Sequence, residues 1–335
     1  MKGNKKSRII LATLASLLFI YLGVSWYFSS VLIDFSPRPL EEDRQNLKID
    51  SPAQFGLKDA KPFFLESQGI ELKGWFYPAG EKAKCAIVYH HGFTGTRYGG
   101  MKYAPLFAQF GCDQLFFDAR RHGESGGRYG TFGFFEKNDL LNVIDWLENE
   151  RGLQDINIGL MGESFGAATS LMAAGFSGRE FAFIIAESPY RDLETIVSQR
   201  GEADYGPVVH IFVPMAFFFA EMRAGLDVEQ TSVLSRASDI HTPVFLVHSK
   251  QDTYTNPENS QSVFDALTGL SDQEKGLYFT DWNAKHARSI DTNAPVFTEK
   301  VEDFLEKIQA ARRLSGDDTT PQNNAATPGG LRAGG

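Results

Sequence analysis

Ile156-Asn157-Ile158-Gly159-Leu160-Met161-Gly162-Glu163-Ser164-Phe165-Gly166-Ala167-Ala168-Thr169-Ser170-Leu171-Met172-Ala173-Ala174 is the stretch whose reading decides the fold. Ile156 to Met161 is a short apolar run of the kind buried in a parallel sheet, and Phe165 to Ala174 has the Gly- and Ala-rich composition of a helix packed close to a strand. The serine between them stands in Gly-x-Ser-x-Gly, on a sharp strand-to-helix turn where bulkier neighbours would clash. The same spacing recurs in Gly123-Glu124-Ser125-Gly126-Gly127. With 32 glycines in 335 residues, chance supplies roughly 0.2 such matches per chain, so context has to choose between them. The earlier copy follows Asp118-Ala119-Arg120-Arg121-His122 and leads into Arg128-Tyr129-Gly130, which reads as a loop. Only Ser164 has a strand before it and a helix after it, and it is the candidate nucleophile.

Working outward, Glu71 to Tyr77, Cys85 to Tyr89, Gln114 to Phe117, Phe181 to Ala186, Val244 to His248 and Leu277 to Phe279 also read as strands. Helical patterns separate most of them. Leu140, Val143, Ile144 and Leu147 mark one buried helix face, and Val296, Val301, Phe304, Leu305 and Ile308 mark that of a final helix over Ala294 to Ala311. This alternation predicts a doubly wound α/β sheet. The rhythm breaks at about 190–242, read as a cap over the site, whose apolar run Val208 to Phe219 is taken as ordinary cap core.

Activation of a serine requires a base and an acid, which in this chain order follow the nucleophile. His90, His91 and His122 precede Ser164; His210 and His241 precede the strand that should deliver the acid, and His248 lies inside it. His286 alone follows Asp252, which projects from the carboxyl end of Val244 to His248, the edge where ligand sites of open α/β sheets collect. The candidate triad is therefore Ser164, Asp252 and His286, with Glu187 and Asp281 as rival acids. The oxyanion donors are assigned to the backbone N–H groups of Phe165, after the nucleophile, and of Phe93, in the His90-His91-Gly92-Phe93-Thr94-Gly95 loop. Adjacent histidines on a strand face opposite ways, so His90 and His91 are not read as a metal site.

From Ile9 to Ile33 no residue is charged, and about 20 apolar residues span a bilayer. Lys2, Lys5, Lys6 and Arg8 precede this run, while Asp34, Glu41, Glu42 and Asp43 follow it. A single-pass anchor with a cytoplasmic amino terminus and the catalytic domain outside is expected, with Trp26 and Tyr27 near the interface. A cleaved signal peptide is the competing account, although its apolar region is usually only about 7–15 residues. Residues 34–61, with Pro37, Pro39 and Pro52, read as a linker or stalk; 62–312 as the catalytic domain; and 313–335 as a disordered tail. Cys85 and Cys112 are the only cysteines. They are expected as buried free thiols, with one disulfide left open in an oxidising compartment. A net charge of −9 and a pI near 5.4 exclude the basic field that nucleic-acid binding needs.

With His91-Gly92, Asp118-x-Arg120-x-His122-Gly123-x-Ser125, Gly162-x-Ser164-x-Gly166, Asp252 and His286 in order, the chain resembles the α/β-hydrolase superfamily over about 62–308. It is most similar to bacterial membrane-anchored members of the serine aminopeptidase, lysophospholipase and esterase branches. The resemblance implies a mostly parallel eight-stranded sheet with a helical cap, no cofactor or metal, and a place in the inner membrane facing the periplasm or exterior. It also implies that the Arg-His-Gly loop is structural. It leaves the substrate open. A serine hydrolase cleaving a carboxylic ester of an acyl or lipid-like substrate through an acyl-enzyme is the leading expectation. The alternatives are a peptidase of the same mechanism, with Glu187 or Glu221 to be inspected as the group gripping a free amine, and a catalytically silent binding module.

Overall fold

The computed structural model describes residues 5–81 and 83–309. Lys2, the helix end expected at Ala311 and the tail 313–335 lie outside the described residues. The strands are β1 (Lys61–Ser67), β2 (Ile70–Tyr77), β3 (Ala86–His90), β4 (Asp113–Asp118), β5 (Ile158–Glu163), β6 (Phe183–Glu187), β7 (Val244–Ser249) and β8 (Lys275–Thr280). The helices are α1 (Lys5–Ile33), α2 (Leu40–Asn46), α3 (Glu136–Arg151), α4 (Phe165–Ser177), α5 (Leu193–Tyr205), α6 (Val213–Ala224), α7 (Glu258–Ala266), α8 (Ser289–Thr292) and α9 (Ala294–Lys307).

The strands form one sheet in the order β1-β2-β4-β3-β5-β6-β7-β8. β2 is antiparallel to β1 and to β4, and the pairs from β4 to β8 are parallel. Strands β3, β6 and β7 are buried along their whole length, which is why they read as continuous apolar runs. One core, with Leu140, Val143, Ile144 and Leu147 of α3 and the small residues of α4, covers one face; Phe107, Phe183, Phe297 and Phe304 belong to the core on the other. The chain leaves β3 towards β4 on one side and resumes at β5 on the other. The crevice at the carboxyl ends of β3 and β5 is thus the topological switch point, where such sheets bind ligands.

The structure departs from the sequence reading in four places. Strand β1 was not foreseen: it is an edge strand with only Phe63 and Ser67 buried, so its alternation is faint. Residues 34–61 are no loose stalk. Asp43 is buried, ion-pairs with Arg38 at 2.7 Å and accepts bonds from the N–H and hydroxyl of Thr96, while Phe35 packs edge-on against Phe93. Cys85 and Cys112 form a disulfide, with Cα atoms 4.7 Å apart. The pairing of β3 with β4 brings them together, since the Asp113 N–H donates to the Cys85 carbonyl, and this separation is within bridging range. Finally, the run Val208–Phe219 is only partly core: Val209, Val213 and Ala216 are buried, while Val208, Ile211 and Phe218 are exposed.

Helix α1 is long and apolar enough to cross a membrane. Every side chain from Lys5 to Ile20 is exposed, whereas Ser25, Ser29, Leu32 and Ile33 are buried. The end of the helix is stitched to the domain: α1 lies against α6, Arg223 donates to the hydroxyls of Ser29 and Ser30 at 2.6 and 2.8 Å, and the Gly130 N–H donates to the Ile33 carbonyl.

Candidate active site

Ser164 stands between β5 and α4 with φ 51° and ψ −114°, a left-handed strain that a non-glycine residue tolerates only where its surroundings impose it. Those surroundings are backbone. A Cβ on Gly166 would lie 2.1 Å from the His90 carbonyl oxygen, and one on Gly162 2.6 Å from the Ala167 nitrogen. The two flanking glycines are required because α4 crosses the ends of β3 and β5 in contact with them. The Ser164 N–H donates to the Glu187 carbonyl at 2.7 Å, which ties the turn to the end of β6.

His286 comes from the loop after β8. Its Nε2 is 2.8 Å from Ser164 Oγ and its Nδ1 is 2.7 Å from Asp252 Oδ2. With Nδ1 protonated towards the carboxylate, Nε2 is free to accept the serine proton. Four contacts among those that hold the loop are these: Ser249 Oγ donates to the Ala284 carbonyl, Lys102 Nζ to the Ala287 carbonyl, the Ala287 N–H to Ser188 Oγ, and the Ser289 N–H to Glu187 Oε1.

Asp252 lies beyond β7 and is buried. Its Oδ1 accepts the N–H groups of Tyr254 and Thr255 at 2.8 and 3.0 Å. Burial pushes its pKa up, but hydrogen bonds from His248 and His286, the charge of His286 and the Thr255 N–H outweigh that and hold it well below the usual carboxylate range. His248 was excluded as a base because it lies inside β7, yet it serves this carboxylate: its Nε2 is 3.2 Å from Asp252 Oδ2 and 3.0 Å from the Thr255 carbonyl. A carbonyl can only accept, so Nε2 carries the proton and Nδ1 accepts from Ser260 Oγ at 2.7 Å. A histidine four residues before the acid, at the strand end, was the signal available in the sequence.

The rival acids are elsewhere. Glu187 is buried and holds the Tyr103 hydroxyl at 2.5 Å and the Ser289 N–H; Asp281 is exposed. Behind Ser164, Lys102 ion-pairs with Glu163 at 2.7 Å, and Glu163 Oε1 accepts the Gly92 N–H. This half-buried lysine joins the serine turn, the β3 loop and the histidine loop.

Phe93 and Phe165 both line the cavity beside Ser164. Among the described residues neither of their N–H groups donates to a protein acceptor, so both remain available to a developing oxyanion. Ser125, by contrast, accepts the Lys73 N–H and donates to the Asp118 carbonyl, and a Cβ on Gly123 would lie 2.1 Å from Asp118 Oδ2. That loop is structural, as are its arginines: Arg120 pairs with Asp139, and Arg121 with Asp34. His91 spends both ring nitrogens on backbone, on the Gly92 carbonyl and the Ala119 N–H. Burial holds His90 down to about 3 and His122 well below the usual imidazole range, so both are neutral.

Two hollows meet at Ser164. One, of about 190 Å³, is apolar and includes Phe132, Ile196, Val197, Val209, Val213 and Phe217. The other, of about 250 Å³, is the more polar of the two, with a mixed lining that includes Arg38, Thr94, Glu163, His286 and Arg288.

Comparison with known proteins gives relatives for this arrangement. The prolyl oligopeptidase family model matches residues 128–311, and the X-Pro dipeptidyl-peptidase (S15) family model matches residues 45–204. The uncharacterized protein YqkD of Bacillus subtilis is 30% identical over 305 residues, covering 89% of this chain and 97% of its own. Among solved structures, an esterase of Pyrococcus furiosus superposes with a TM-score of 0.63 at 21% identity, covering 82% of this chain and 99% of its own. An acylaminoacyl peptidase of Pyrococcus horikoshii does so with 0.57 at 18% identity, covering 80% of this chain and 43% of its own.

Proposed function

The chain belongs to the α/β-hydrolase superfamily, by the prolyl oligopeptidase family model that spans more than half of it, and we propose that this hydrolase cleaves a carboxylic ester of an acyl or lipid-like substrate through an acyl-enzyme on Ser164. The observation that carries the reading is the continuous hydrogen-bonded chain Ser164–His286–Asp252 at the junction of an apolar and a polar hollow.

In this reading the acyl group lies in the apolar hollow and its carbonyl oxygen faces the N–H groups of Phe93 and Phe165. Ser164 Oγ attacks the carbonyl carbon as its proton passes to His286 Nε2. Asp252 holds the Nδ1–H and stabilises the imidazolium. The tetrahedral oxyanion collapses, the C–O bond to the alcohol breaks, and His286 returns the proton to the departing oxygen, which leaves through the polar hollow. A water then gives its proton to His286 and attacks the acyl carbon, releasing the acid and restoring Ser164.

A peptidase gripping a free amine would need an unengaged acid near the site. Asp204 lines the apolar hollow but pairs with Arg200; Glu187 is committed to Tyr103 and Ser289, and Glu221 accepts the Val228 N–H. These engagements favour the ester. The deciding comparison is turnover of p-nitrophenyl butyrate against an aminoacyl p-nitroanilide by the full-length protein in detergent micelles. Faster turnover of the ester, abolished in His286→Ala, supports the reading; preference for the anilide transfers the site to a peptidase.

The same proposal keeps α1 as a membrane anchor and puts the catalytic domain on the non-cytoplasmic side. Supporting retention, Leu32 and Ile33 belong to the domain core, which a cleaved leader would leave open. Supporting the location, a disulfide persists in oxidising compartments.

A further inference from the structure

The apolar hollow is not built by the hydrolase domain alone. Phe28, Val31 and Leu32 of α1 line it together with Ser164, so the last two turns of the apolar helix form one of its walls. Val213, Ala216 and Phe217 of α6, the cap helix against which α1 packs, line the same hollow.

The surroundings of this wall are apolar on their outer side as well. Val208, Ile211, Phe218 and Met222 of the cap are exposed, beside exposed Trp26 and Tyr27 of α1 and Tyr205 of α5. Exposed apolar side chains rimmed by Trp and Tyr are the composition of a surface seated at a membrane interface. The lengths agree with such a seat. The uncharged run from Ile9 to Phe28 of α1 corresponds to roughly 30 Å of helix, the thickness of a bilayer hydrocarbon core. Tyr21, about two turns before the end of that span, already stacks on Phe212 of the cap at 5.7 Å. The cap therefore meets the helix in the outer part of that span, and the hollow, lined by Phe28, Val31 and Leu32, begins where hydrocarbon gives way to headgroups.

We propose that α1 is part of the substrate site: its end forms a wall of the acyl pocket, and the pocket takes a long-chain acyl ester drawn from the membrane that α1 crosses. The inference rests on the hydrolase reading above and specifies its substrate. The anchor then tethers the enzyme and completes its specificity pocket, while the polar hollow with Arg38 and Arg288 receives the headgroup side of the ester.

The test uses full-length protein in detergent micelles and the ratio of kcat/KM for p-nitrophenyl decanoate to that for p-nitrophenyl acetate. Val31→Trp, which fills the pocket from the helix side, lowers the ratio roughly tenfold or more, the scale on which apolar pockets discriminate chain length. Phe28→Ala, which enlarges it, shifts the preference towards longer chains. Leu18→Trp, on the exposed part of α1, leaves the ratio unchanged. If Val31→Trp and Phe28→Ala both keep the native ratio while Ser164→Ala abolishes turnover of both esters, the hydrolase reading stands and the role of α1 is overturned. If the native protein turns over neither ester and takes no fluorophosphonate label, the hydrolase reading fails and this inference with it.

Discussion

At the scale of single residues, the two Gly-x-Ser-x-Gly copies are separated by what each serine touches. Ser164 Oγ faces an imidazole, and Ser125 Oγ is spent between the Lys73 N–H and the Asp118 carbonyl. Ser125→Ala is therefore expected to cost about 1–2 kcal/mol of stability, read from urea unfolding, and to leave kcat intact; a collapse of kcat in a folded Ser125→Ala protein would contradict this assignment. His248 acts at one remove, as a positioning residue for Asp252. His248→Phe removes one imidazole donor from the carboxylate and is expected to lower kcat roughly tenfold with KM little changed, with the acidic limb of the pH–rate profile displaced. An unchanged profile would reduce His248 to packing. In the sequence, local context singled out Ser164, strand position Asp252, and chain order His286, because only one histidine follows the acid; the structure joins the three by hydrogen bonds. The contribution of His248 went unread, because its place four residues before the acid gains meaning only once the loop beyond β7 returns Asp252 to the strand end, 3.2 Å from His248 Nε2.

At the scale of elements, the strands buried on both faces were legible because nothing polar interrupts them, and β1 was not because only two of its residues face the core. The disulfide stood only as the alternative to free thiols for a related reason: the register of β3 on β4, which sets Cys85 against the start of β4, is a property of the sheet and not of either segment. Residues 34–61 looked like a linker by their prolines, but the role of Asp43 depends on Arg38 and on Thr96 some fifty residues away. Closing a loop with a sequence separation of 27 is expected to contribute about 3–4 kcal/mol by restricting the unfolded chain. Replacing Cys85 and Cys112 together with serine should lower the urea midpoint accordingly and make it insensitive to reductant. A native protein whose midpoint ignores reductant under unfolding conditions would contradict the bridge.

At the scale of the whole molecule, the neutral buried histidines tie stability to pH. His90 and His122 have folded pKa values below those of the unfolded chain, so below about pH 6.5 the unfolded state binds more protons and stability falls as pH falls, by up to about 1.4 kcal/mol per pH unit for each group. Asp252, whose folded pKa is also depressed, adds a further loss once the pH drops below about 4. Urea midpoints recorded from pH 7 to 5 should decline, and His90→Phe, which keeps an aromatic ring against Phe117 and Phe165, should make the decline shallower; equal slopes would contradict the buried neutral state. The larger organisation, in which an apolar helix ends inside the catalytic domain and lines its pocket, could not be read from the sequence, where anchor and enzyme look like separate modules. The central claim is narrower than this architecture: Ser164 is a nucleophile activated by His286. Intact-mass analysis of the full-length protein after a fluorophosphonate probe tests it most directly. The account predicts a single adduct on the native protein and on Ser125→Ala, and none on Ser164→Ala or His286→Ala; an adduct retained in folded Ser164→Ala would contradict it.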